Sequence, residues 1–200
     1  DSASGVPGEI IVNAGTLTLT NGASIAAGSP TSTGPGGPVT VTADTVVISA
    51  DGKVSSLSFA QDSGKVTITA TNALTLDKGF IDTNTSSESG NPGGKVELNG
   101  GIVSLTNGSR INSQSEKFST GPAGDITITG KSLTLANQAE ITSSSKGTVA
   151  NAGDAGTITI ATTGNTVSLT SGSSITSSTI GEGNAGQVIV TTPTLNMDNA

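Results

Sequence analysis

The sequence predicts an all-β chain folded as a right-handed parallel β-helix, a three-faced solenoid of about seven coils of roughly 30 residues. Three observations predict it. A Gly followed by an alternating apolar strand recurs seven times. Each recurrence is followed by two further strand types in fixed order. The chain also lacks the aromatic bulk that fills a wide core: it has no Trp, Tyr, His or Cys and only three Phe. A narrow interior lined by Val, Ile and Leu needs no such bulk.

The first strand opens each repeat. Its copies start at Gly8, Gly37, Gly64, Gly94, Gly124, Gly156 and Gly186, spaced by 29, 27, 30, 30, 32 and 30 residues. The second residue after Gly is always aliphatic: Ile10, Val39, Val66, Val96, Ile126, Ile158 and Val188. So is the fourth. Strict alternation marks a strand with one buried face. The second strand begins nine to eleven residues after Gly, at Leu17, Val46, Leu74, Val103, Leu133, Val167 and Leu195. A tight bend follows, clearest in Thr20–Ile25 (T-N-G-A-S-I) and Thr106–Ile111 (T-N-G-S-R-I). A short third strand then supplies one aliphatic residue per copy: Ile25, Val54, Ile81, Ile111, Ile141 and Ile175. The five apolar columns hold 34 of the 42 Val, Ile, Leu and Met residues and no polar one. This reading makes the interior a matter of packing alone. It also places every insertion in the Ser/Gly/Asn/Pro-rich loop that closes each repeat.

Equivalent strands should pair one coil away, about 4.8 Å along the axis, and parallel crossovers take the right-handed sense. An antiparallel sandwich of short strands fits less well, because it does not repeat three strand types in order. A calcium-binding nonapeptide solenoid needs G-G-x-G-x-D units, and the chain has none. The whole chain, 1–200, reads as one solenoid segment. Asp1–Pro7 resembles the end of an inter-repeat loop, and Thr194–Ala200 stops inside the bend after the seventh second strand. Neither end carries a polar capping coil, so the segment is expected to belong to a longer array or to meet other chains at its ends.

Composition narrows function. The formal net charge is −7, with one Arg (Arg110) and seven scattered Lys. Nucleic acid is therefore not an expected partner, since phosphate binding needs clustered cations. No apolar run approaches spanning length, so no membrane insertion is expected. Nothing suggests a cofactor or a metal.

The repeat G-N-A-G-x-[IV]-x-[IV]-x…[LV]-[TS]-L-x-[NS]-G-[AS]-x-I is carried best by Gly124–Ile141 and by Gly183–Val190. It resembles the shaft repeats of filamentous haemagglutinin-like exoproteins of Gram-negative bacteria, cyanobacteria among them. The resemblance covers essentially the whole chain. It implies secretion by a partner outer-membrane transporter (two-partner secretion) and an extracellular or outer-membrane-surface location. It further implies a role in adhesion, aggregation or biofilm formation. The secretion-domain motifs N-P-N-L and N-P-N-G are absent; the one Asn-Pro, Asn91-Pro92, continues as Gly93-Gly94. The resemblance therefore points to the shaft: a non-catalytic fibre segment whose partners are neighbouring repeats, further copies of itself and cell-surface glycans.

Candidate sites are few. Polysaccharide-cleaving β-helices need clustered carboxylates, whereas Asp51, Asp62, Asp77, Asp82, Glu88, Glu116, Asp154 and Glu182 are dispersed over bends and loops. Asp77 and Asp82 come nearest to a pair. No catalytic residue is assigned. The candidate interaction face is the outward side of the first strand: Thr40, Thr42, Thr67, Thr69, Thr127, Thr129 and Thr159. Thr-x-Thr rows on a flat β-helix face are similar to those of ice-binding proteins, and they also suit a glycan. Glu97, Asn99 and Ala161 interrupt them. Thr is, besides, a good strand former on any exposed face. Lys95 and Asp125 are expected to neighbour each other on successive coils, and Lys65 to lie unfavourably beside Lys95. Phe59, Phe80 and Phe118 fall off the columns, and the loop residues Phe59 and Phe118 are expected to fold over the coil edge.

Overall fold

A computed structural model of the chain describes residues 8–28, 34–59, 61–85, 90–117, 119–164 and 166–200. All regular structure among them is strand: β1 (Ile10–Leu19), β2 (Ser24–Ala27), β3 (Val39–Ser49), β4 (Lys53–Ser56), β5 (Val66–Asp77), β6 (Phe80–Asp82), β7 (Val96–Thr106), β8 (Arg110–Ser115), β9 (Ile126–Leu135), β10 (Glu140–Ser145), β11 (Ile158–Thr162), β12 (Thr166–Thr170), β13 (Ser174–Thr179), β14 (Val188–Thr191) and β15 (Thr194–Asp198). Every pairing is parallel and joins a strand to its equivalent one coil away. The fold is a parallel β-solenoid of six full coils followed by the first two strands of a seventh.

The three strands per coil form two sheets rather than three. In coils one to five the first and second strands are one continuous strand, and these stack in the order β1-β3-β5-β7-β9-β11-β14, with β12 and β15 extending the same sheet. The third strands make the other sheet, β13-β10-β8-β6-β4-β2. The long strand still turns a corner. Val39, Val41 and Ala43 are buried on alternate positions, and burial then resumes at Val46 and Ile48, one position out of phase. Asp44 and Thr45 therefore both stand outside the core, and the same break recurs in each long strand.

This corner accepts insertions, contrary to the expectation that they all lie in the closing loop. The register shifts between Ala70 and Ala73, where coil three carries one extra residue. In coil six the strand breaks altogether into β11 and β12. A corner can bulge because its extra residue is left unpaired and faces water.

The core is a stack of like on like. Val39, Val66, Val96, Ile126 and Ile158 are in register and 0% exposed. So are Val46, Leu74, Val103, Leu133 and Val167, and on the other sheet Val54, Ile81, Ile111 and Ile141. The outermost members behave differently, because nothing stacks on their outer side. Ile10, Leu17, Ile25 and Ile175 are partly buried, and Val188 and Leu195 are exposed.

The repeating Gly has a steric cause. A Cβ on Gly37, Gly64, Gly94, Gly124, Gly156 or Gly186 would run into the carbonyl oxygen of the equivalent Gly one coil before. The backbones of successive coils touch at that corner, and any side chain would push them apart. The bend between the second and third strands needs left-handed backbone instead. Asn21-Gly22, Ala50-Asp51, Asn107-Gly108, Asn137-Gln138 and Ser171-Gly172 are all at positive φ. Gly and Asn are the residues that adopt this conformation cheaply. Coil three makes the bend one residue shorter, with Lys78 alone at positive φ among its non-Gly residues.

The interior is not purely aliphatic. On the third strand the buried position after the aliphatic one is a hydroxyl: Ser56, Thr83, Ser113, Ser143 and, half-buried, Ser177, with Ala27 in coil one. Each Ser Oγ donates to the opening Gly of its own coil, at 2.7 Å from Ser56 to Gly37, 2.7 Å from Ser113 to Gly94, 2.9 Å from Ser143 to Gly124 and 2.7 Å from Ser177 to Gly156. Ser56, Ser113 and Ser143 also accept from the opening Gly N–H of the next coil, at 2.9–3.0 Å. Thr83 departs from this scheme and donates forward to the Gly94 carbonyl. Two residues further on, Ser58, Thr85, Ser115 and Ser145 form a second buried hydroxyl column, and Ser115 donates to Ser145 at 3.1 Å. No buried side-chain nitrogen or oxygen among the described residues lacks a partner.

Candidate functional site

The first-strand Thr residues do come together. Thr40 pairs with Thr67, and Thr127 with Thr159, with Glu97 between the two pairs. The parallel column runs Asn13, Thr42, Thr69, Asn99, Thr129, Ala161, Thr191. The face is divided in the middle. Glu97 pairs with Lys65 at 2.6 Å, and the Thr129 hydroxyl donates to the Asn99 side-chain carbonyl. Lys65 is thus not left against Lys95 as expected: it reaches Glu97, and Lys95 turns to Asp125 at 3.0 Å. Burial pushes the Asp125 carboxyl up, but the Thr157 N–H and Lys95 outweigh it and hold the group below its ordinary value of 3.8.

Several other acids are likewise tied to neighbours one coil away. Asp82 meets Lys53 at 2.8 Å and accepts from Asn112 at 3.0 Å. Asp77 accepts from Asn107, which accepts in turn from Asn137, so the amides form a ladder along the bend. Asp51 lies 3.5 Å from Lys78, and Arg110 lies 3.1 Å from Glu140. Asp77 and Asp82 therefore have separate partners and do not form a pair. Among the described residues no group of three or more acids could hold a metal.

Of the aromatics, Phe80 stands on β6 in register between Lys53 and Arg110, half-buried on the outward side of the third-strand sheet. Phe59 is 52% exposed and does not fold over the coil edge as expected. Its neighbour Ser58 takes the inward position, 3% exposed and bridged to Thr85, which turns Phe59 to the outside. Phe118 and Glu88 lie outside the described residues.

The surface missed at the sequence level is the outward side of the second strand. One column runs Thr18, Val47, Thr75, Ser104, Thr134, Ser168, Asn196, in register throughout. The next runs Thr16, Thr45, Ala73, Ile102, Ser132 and, beyond the break in the strand, Thr166 and Thr194. Neither column contains a charged residue. Whereas the first-strand face is cut by an ion pair, this one presents hydroxyls and methyls on every coil. The available cue is the alternation in T-L-T-L-T, S-L-T-L and T-V-S-L-T, whose apolar half marks the core and whose polar half forms this face. The buried hydroxyl columns left a similar trace in I-N-S-Q-S, I-T-S-S-S and I-T-S-S-T.

The chain matches no family model, no curated protein and no solved structure. No helix among the described residues is long and apolar enough to cross a membrane.

Proposed function

We propose that this chain is a length of non-catalytic shaft from a secreted or surface-attached bacterial adhesin or extracellular matrix fibre. One observation carries the reading: every coil pairs in parallel with the next, the register shifting only at the corner within the long strand, and buried hydroxyls and, among the described residues, five ion pairs also join coil to coil along the axis. Such a molecule holds its ends apart and resists bending. The resemblance to filamentous haemagglutinin-like repeats supplies the context of export through an outer-membrane transporter to the surface of a Gram-negative, cyanobacterial or related cell. There the shaft would carry other modules outward.

The test is to delete one whole coil, residues 124–155, which joins the loop before Gly124 to Gly156 in register. The shortened chain should fold and lose about 4.8 Å of length by small-angle X-ray scattering. Cells expressing it within its parent fibre should still export it. A screen of the purified chain against glycans and polysaccharide substrates should give neither saturable binding nor turnover. Saturable binding that disappears on joint substitution of Thr67, Thr127 and Thr159 would replace the shaft by a ligand-binding solenoid.

A further inference from the structure

We infer that the outward face of the second strand is a lateral docking surface for a second copy of this chain, packed antiparallel. The inference rests on the shaft reading, since a rod gains a matrix role when something binds it sideways.

The argument begins with charge. At a net charge of −7 two copies repel, so contact is favoured where neither presents a carboxylate. The two central columns of the second-strand face satisfy this along all seven coils. Their hydroxyls on Thr75, Ser104 and Thr134 make no hydrogen bond among the described residues, in contrast to Thr129 on the first-strand face. They remain available to a partner.

Two features then select the arrangement. Ile102 is the one large apolar side chain on the face that is exposed, at 54%, and the residue beside it one coil earlier is Ala73, the smallest there. Consider a two-fold axis lying along the strand direction between coils three and four. Each Ile102 then sits over the partner's Ala73, a knob above a gap. The same axis sets coil two against coil five. At the corner flanking the face, coil two carries Asp44 and coil five carries Lys131, at equivalent positions just before Thr45 and Ser132. Both are exposed, and neither has an ion-pair partner among the described residues. One operation thus meets knob with gap and acid with base, twice each, as an isologous interface requires. Asp77, at the other edge in coil three, faces Thr106 in coil four and meets no like charge.

Size sets the strength. Six overlapping coils at about 4.8 Å by three outward residues bury about 400 Å² per copy, roughly half of what stable pairs use. Pairing of this segment is weak, and it strengthens in proportion to the number of coils.

Sedimentation equilibrium of the full chain from about 1 μM to about 1 mM tests this. The wild type should show a reversible monomer–dimer equilibrium. D44K and K131E should each weaken it by about tenfold, and the swap D44K/K131D should restore it to within about threefold. D44K is the telling variant, because it lowers the net negative charge and general repulsion alone would make it associate more strongly. A chain that stays monomeric throughout, a D44K variant that associates better, or a swap that fails to recover overturns the inference. Circular dichroism and the scattering length of the monomer are read alongside. A folded rod that does not pair refutes the docking surface and leaves the shaft standing, whereas loss of the rod refutes both.

Discussion

Replacing Ser143 by Ala removes a single oxygen from the centre of the solenoid. That oxygen is 0% exposed, donates to the Gly124 carbonyl at 2.9 Å and accepts from the Gly156 N–H at 3.0 Å. No water reaches the site, and Ala offers nothing in exchange. The Gly156 N–H is then a buried donor without an acceptor, which costs about 1–3 kcal/mol. The small void adds a fraction of that, so the expected loss is about 2 kcal/mol. Coil one supplies the reverse experiment, because its equivalent residue is already Ala27. Ala27→Ser should create the missing bridge between Gly8 and Gly37 and gain about 0.5–1.5 kcal/mol. Urea unfolding followed by circular dichroism gives the change in stability. Hydrogen exchange localises it: the Gly156 amide should lose protection in Ser143→Ala out of proportion to its neighbours. If Ser143→Ala unfolds at the wild-type urea concentration and Gly156 exchanges as before, the bridge contributes nothing and the reasoning fails.

Three other outcomes are expected. Gly124→Ala should destabilise by about 3 kcal/mol or more, since its Cβ would meet the Gly93 and Gly94 carbonyls, while Gly8→Ala, with open space around it, should be close to neutral in the same thermal melt. Ala50→Gly should raise stability by about 0.5–1 kcal/mol, because Ala50 is held at φ 46° in a bend position that coils one, four and five fill with Asn21, Asn107 and Asn137; a lower melting temperature would contradict this. Asp125 has a folded-state pKa below its ordinary 3.8, so its contribution is fully present above that value and is lost as pH falls through the folded pKa; Asp125→Asn, titrated by thermal melts below about pH 4, should lack this part of the acid dependence.

The sequence displays the parallel solenoid and its axial register because both depend on side chains that repeat. Val on Val and Leu on Leu leave a period that no other fold explains as simply. The opening Gly was legible too, though its cause lies in backbone contact between coils, which no single repeat reveals. Hydroxyls were harder to place. Ser113 in the core and Ser104 on the surface look alike in sequence, and only the local phase of the strand separates them. A buried Ser needs partners that are backbone groups, Gly94 and Gly124, which have no side-chain signature of their own. The corner within the long strand was hidden for a related reason. It is made by a one-residue change of phase at Asp44-Thr45, and its insertions at Thr71-Asn72 and before Thr166 resemble ordinary loop variation. Ion pairs such as Lys65–Glu97 cross between coils diagonally, so reading each column straight along the axis assigned Lys65 the wrong neighbour.

The serine bridge also bears on how such a chain can change length over generations. Each of Ser56, Ser113 and Ser143 is satisfied by the opening Gly of its own coil and by the opening Gly of whichever coil comes next. A coil that carries this Ser therefore brings its half of the junction with it. Duplication of a 30-residue stretch of gene would insert a coil that finds its acceptors and donors already in place, with no compensating mutation on either side. Loss of a coil would be repaired in the same way. The length of the rod is then free to drift or be selected without passing through a misfolded intermediate, and the ancestry of its coils should be readable in which neighbours resemble each other most.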